Sequence, residues 1–136
     1  MMNSLVLLVP LILSAPIQSV LNVEKVAQEG AETWLELVDS ERYDESWDEA
    51  ASLIRNAVTK EDWAQSIRGA RAPLGKLVSR TVKSRTYTET LPGAPDGHYV
   101  VIQFETTFEN KKSAVETVTP MKDSDGQWRV SGYYIK

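Results

Sequence analysis

The chain contains one histidine, His98, and no cysteine. Those two facts remove a multi-histidine metal site, a thiolate zinc site and a cysteine nucleophile. His98 follows Gly97 at the start of a strand, where a partly exposed polar role is the plain expectation. General acid or base work there would need a pocket and a partner to set its tautomer. Glu116 lies mid-strand between Val115 and Val118, and Glu105 lies on the preceding strand. A hairpin joining the two would let these carboxylates share a proton or hold a cation; the more ordinary outcome is solvent or an arginine such as Arg80, Arg85 or Arg129. Arg71 ends a helix just before Pro73, where a cation suits the C-terminal dipole. At the open end of a helix-sheet cavity the same guanidinium can hold a carboxylate or phosphate in fork geometry. An enzyme built here would use His98 or Glu116 with Tyr87. The candidate ligand-binding residues are therefore Arg71, Tyr87, His98 and Glu116, with no catalytic set, cofactor or metal ligand expected. The cavity is expected to lack an acid-base pair, and a buried His98 or Glu116 within hydrogen-bond reach of a second titratable group would overturn that.

No phosphate-binding glycine loop, nucleophile elbow or paired-histidine motif is present. Asp123-Ser124-Asp125-Gly126 resembles the start of a calcium loop but lacks its length and terminal glutamate, so a plain turn is expected.

These residues need elements to position them. Val23, Val26, Ala27, Ala31, Trp34, Leu35 and Val38 recur at three- and four-residue steps, which predicts a helix from about Val23 to Val38 with one dry face. Trp47, Ala50, Ala51, Ile54 and Val58 predict a second, with acids near its start. Thr59 with Glu61 and Asp62 caps a third, carrying Trp63 and Ile67 to a stop at Ala72-Pro73-Leu74-Gly75. After Gly75 the period changes to two, and strands are expected over 77–90, 98–108, 113–122 and 127–135. Pro120 implies an edge position or a bulge, because proline cannot donate to the ladder. Tyr133 and Tyr134 fall on opposite faces, so one of them points outward. Trp34, Trp47 and Trp63 read as core by their helical spacing. Short connections favour an antiparallel meander. The expected fold class is α+β, with three N-terminal helices packed on a curved four-stranded antiparallel sheet.

Ahead of the helices, Leu5–Leu13 is an uncharged apolar run interrupted by Pro10 and followed by small residues to Ser19. It is shorter than the ~20 residues that span a bilayer. The expected division is a signal peptide or targeting segment over 1–19 and one domain over 22–136, exported to the periplasm or beyond from a bacterium. Without cysteine it is not a lipoprotein, and it meets a membrane only if the segment is retained. A net charge of −4, with Lys and Arg scattered, argues against nucleic acid.

Trp34-Leu35-x-Leu37-Val38-Asp39, Tyr43-x-x-Ser46-Trp47-Asp48, Arg71-x-Pro73-Leu74-Gly75, Leu91-Pro92-Gly93-x-Pro95-Asp96-Gly97-x-Tyr99 and Gly126-x-Trp128-Arg129-Val130-x-Gly132-Tyr133 together resemble the bacterial domain-of-unknown-function family 4019 over about Val26 to Ile135. The resemblance implies a small exported protein and supplies no catalytic residues. Its layout also looks like the nuclear-transport-factor-2-like or cystatin-like roll, an analogy of fold that carries no activity.

Three functional classes fit this reading. The favoured one is an exported binding or accessory module whose helix-sheet cleft takes a small molecule, a peptide or an envelope protein. The alternatives are a small isomerase, dehydratase or hydrolase on the roll, and a structural homodimer of the cell envelope.

Overall fold

A computed structural model describes residues 15–136, so most of the expected targeting segment, including Leu5–Leu13, lies outside the described residues. Residues 15–19 are already helical and begin α1, which runs Ala15–Asp39. The helix therefore starts earlier than the expected Val23. Its apolar stripe, Ala27, Ala31, Trp34, Leu35 and Val38, is buried against the sheet, and the two alanines let the helix approach closely. The α1 terminus is a Schellman turn: Arg42 N–H bonds Leu37 C=O at 2.8 Å and Glu41 N–H bonds Val38 C=O at 3.1 Å. Glu41 occupies the left-handed position, φ 62°, where glycine is the usual residue.

Four α-helices are present among the described residues, rather than the three expected. The second expected helix is two short ones, α2 (Tyr43–Asp48) and α3 (Ser52–Ala57), followed by α4 (Lys60–Arg71). The break has a tertiary cause. Ala51 N–H leaves the helical ladder to bond Val130 C=O on the last strand at 2.8 Å, and Ala50 and Ala51 are both fully buried there. The helix then restarts under a distant cap, because the Asp123 carboxylate accepts from Ser52 N–H at 3.0 Å and from Ser52 Oγ at 2.5 Å. Asp123-Ser124-Asp125-Gly126 is thus a turn that also starts a helix. The α4 N-cap is Thr59, whose hydroxyl accepts from Asp62 N–H at 3.2 Å.

The strands β1 (Leu77–Thr88), β2 (Tyr99–Phe108), β3 (Lys111–Lys122) and β4 (Trp128–Ile135) form one antiparallel sheet in sequence order. Val100, Ile102, Phe104 and Phe108 share the buried face with Val118 and Val130. Pro120 is not at an edge, since β3 is flanked by β2 and β4; it sits at a register shift between Val118 and Pro120, the bulge alternative. Gly75, φ 75°, turns the chain into β1, and a Cβ there would lie 3.0 Å from Glu109 Cβ. Tyr133 faces inward and Tyr134 is 54% exposed.

Candidate functional site

Each strand of the sheet and two helix ends contribute one residue to a buried polar cluster. Asp39 is the last residue of α1, Arg71 the last of α4; Arg80 comes from β1, Thr106 from β2, Glu116 from β3 and Tyr133 from β4. Helical spacing puts Asp39 on the same face as Ala31 and Leu35, and strand alternation puts Glu116 in line with Ala114 and Val118. Both carboxylates therefore enter the core, and two guanidiniums balance them.

Arg80 grips both. Its Nε and Nη2 reach Glu116 at 2.7 and 3.2 Å, and its Nη1 and Nη2 reach Asp39 at 2.8 and 2.9 Å. Burial alone would depress the Arg80 pKa, but the hydrogen bonds and charges of Asp39 and Glu116 outweigh it and raise the guanidinium above its usual value. Thr106 Oγ1 donates to Glu116 at 2.6 Å, and the Tyr133 hydroxyl donates to its other oxygen. Burial first, and the Glu116 charge second, push the Tyr133 pKa well above that of a free phenol, with the Arg71 charge working against them. Tyr133 is therefore a fixed donor across the physiological range. Arg71 adds a 3.0 Å contact to Asp39 and lies 4.7 Å over the Phe108 ring, while its Nε and Nη1 meet no protein partner.

Glu116 is fully buried and within reach of Tyr133, so the expectation that no such pair exists is overturned. The pair has no vacancy for a substrate. Glu116 receives Arg80 Nε and Thr106 on one oxygen and Arg80 Nη2 and Tyr133 on the other, which saturates its lone pairs.

The four sequence candidates split into two groups. Arg71 and Glu116 are linked through Asp39 and Arg80. Tyr87 and His98 meet at the other end of β1, where the Tyr87 hydroxyl lies 2.6 Å from His98 Nδ1 and donates to Glu89 at 3.2 Å. Partial burial, then the Glu89 carboxylate, raises the Tyr87 pKa. His98 is exposed, and neither residue lines any of the clefts described below. Glu105 does not pair with Glu116: it opposes Val115 on the outer face, whereas Glu116 opposes Phe104. Among the described residues no cluster of His, Asp and Glu is arranged to hold a metal ion, and no helix is long and apolar enough to cross a membrane.

Asp39, Thr106 and Tyr133 were not among the candidates. The signal for Asp39 is its i+4 step from Leu35; those for Thr106 and Tyr133 are their places on inward-facing alternations. Ser46 was also missed. It is fully buried and joins three elements, accepting the Trp63 indole N–H on Oγ at 3.0 Å and the Trp34 indole N–H on its carbonyl at 2.8 Å.

Concave surface adjoins the cluster: Asp39 and Arg80 line a shallow cleft of about 300 Å³ with Glu32, Glu36 and Leu77. A cleft of about 560 Å³ adjoins Arg71 between the end of α1 and the Gly75 turn. A groove of about 1150 Å³ runs between α1, α2 and the start of β4, and another of about 670 Å³ lies between α4 and the end of β4.

The fold and its buried cluster define a small α+β domain, a helical layer on an antiparallel meander locked by a charge-balanced network. Residues 30–133 match the family described as Protein of unknown function (DUF4019), and the chain belongs to it. Comparison with curated proteins and with solved structures finds no match.

Proposed function

We propose that this chain is an exported binding or accessory module, and that its recognition surface is the groove between α1, α2 and β4, which takes a basic segment of a partner protein. The composition of that groove carries the reading. Trp34, Leu37 and Trp128 give it an aromatic and aliphatic floor, and Glu29, Glu36 and Glu49 on its walls enter no ion pair among the described residues. Its two arginines are already engaged, Arg42 with Glu45 and Arg129 with Asp123 and Asp125. Unpaired carboxylates in one groove with the half-buried Trp128 suit lysine and arginine side chains, by charge and by cation–π attraction.

Export rests on the apolar run Leu5–Leu13 and the small residues that lead to Ser19; without cysteine, lipid attachment is not the anchor. The likeness to the nuclear-transport-factor-2-like and cystatin-like rolls favours a cavity-bearing fold without adding an activity. An enzymatic reading has less support, since Glu116 has no free lone pair and the Tyr87–His98 pair stands outside the clefts.

Two measurements test the proposal. Chain recovered from the periplasm of a Gram-negative host should have lost about its first nineteen residues by intact mass. Calorimetric titration with a peptide rich in lysine and arginine should give binding that weakens steeply with salt; no heat at low salt would sink the groove assignment.

A further inference from the structure

The two edges of the sheet are unlike. β1 is interrupted by register shifts at Leu77/Ser79 and Val82/Ser84 and carries Lys83 between its exposed neighbours. Bulges and an edge lysine are devices that keep a strand from pairing with another chain. β4 has no such interruption in its second half, where the register runs evenly from Val118↔Tyr133 to Glu116↔Ile135. Lys136 exchanges both backbone bonds with Val115 at 3.0 Å. Antiparallel alternation then turns the N–H and C=O of Ile135 and Tyr133 away from β3 toward the open edge. Further back, the Val130 carbonyl is taken by Ala51 N–H, so the α2–α3 corner covers the first half of β4 and leaves the second half bare.

That bare half borders the groove of about 670 Å³. Trp63, Ile67 and Ala70 line it from α4, Tyr133 and Ile135 from the inner face of β4, and Tyr134 from the outer face. Residues of both faces line the groove because it reaches round the free border of the last residues of β4, with Leu74 and Lys111 beside the strand's end. Its charged residues are Lys111 and Lys136, with no carboxylate side chain, on a chain of net charge −4.

We propose that this edge docks an extended peptide segment of a partner protein, which adds to β4 as a fifth strand. The peptide carries apolar residues at alternate positions and an acidic group at one end. Its backbone engages the outward groups of Tyr133 and Ile135, its alternate side chains enter against Trp63, Ile67 and Ala70, and its carboxylate meets Lys111. This site is separate from the anionic groove at α1 and takes the opposite charge, so either can fail without the other.

The test is selection of random phage-displayed peptides on the wild-type domain and, in parallel, on two variants. Ala70→Trp fills the groove from an exposed helical position. Ile135→Pro removes an outward N–H that the sheet does not use. Melting curves establish that both variants are folded. The expected result is enrichment of alternating apolar sequences with an acidic residue on the wild type. A synthetic copy should bind either variant at least about tenfold more weakly and lose affinity when its own backbone amides are methylated. Three results overturn the proposal: no enrichment above the Ala70→Trp background, peptides that bind both variants as well as wild type, or a wild-type dimer that Ile135→Pro makes monomeric.

Discussion

Opposite ends of β1 treat the same residue types in opposite ways. Around Arg80, two guanidiniums, two carboxylates and a phenol are withdrawn from water and answer one another; around Tyr87, roughly 20 Å along the strand, a phenol, an imidazole and a carboxylate meet at the surface. The first arrangement is a folding element. Every strand feeds it, its charges balance, and removing one member strands another in a dry site. The second carries no buried charge: His98 and Glu89 are exposed, and only the Tyr87 ring packs against the core.

Substitutions should separate the two ends. Replacing Arg80 by Met leaves Asp39 with Arg71 alone and Glu116 without a cation, so the largest loss, about 3–5 kcal/mol, is expected in chemical denaturation. A loss below about 1 kcal/mol would remove the network from its central place. Asp123→Asn weakens the α3 cap and the Arg129 contact, with an expected cost of about 1–2 kcal/mol near neutral pH. That cost should depend on pH. Burial opposes ionisation of Asp123, but the Ser52 bonds, the Ser124 N–H and Arg129 overcome it and hold its folded pKa below the ordinary value. The stability it contributes is complete above the unfolded pKa of about 3.9 and is lost as pH falls through the folded value, so wild type should lose more than the variant below about pH 4. Glu41→Gly relieves the left-handed position that ends α1 and should stabilise by about 1 kcal/mol, read as a raised melting temperature. Tyr87→Phe and His98→Ala should each change stability by less than about 0.5 kcal/mol.

Much of this was legible one element at a time. The dry face of α1, the change of period after Gly75, the four strands and the cap at Thr59 all follow from local pattern, and Glu116 meeting Arg80 was one of the stated outcomes. What local pattern does not carry is which elements adjoin. Trp47, Ala50, Ala51, Ile54 and Val58 have sound helical spacing, yet the segment breaks because Ala51 N–H finds Val130 and Asp123 supplies a cap from a turn 71 residues away. Asp39 becomes a partner of Arg80 only when α1 crosses the sheet, and Tyr133 reaches Glu116 only when β4 pairs with β3. The position of Arg71 in the sequence predicts a cation on a helix end or a fork for an anion, and its contact with Asp39 depends on that same crossing of α1.

The central claim is that the polar interior holds the fold while the acidic groove along α1 does the binding. Titrating isotope-labelled domain with a lysine- and arginine-rich peptide tests it most directly, with wild type compared to a Glu29→Gln, Glu36→Gln, Glu49→Gln variant. The account predicts shift changes confined to Gly30, Thr33, Gln127 and the Trp128 indole, absent in the variant although its melting temperature is unchanged. Perturbations centred on Tyr87 and His98, or an undiminished response in the variant, would contradict it.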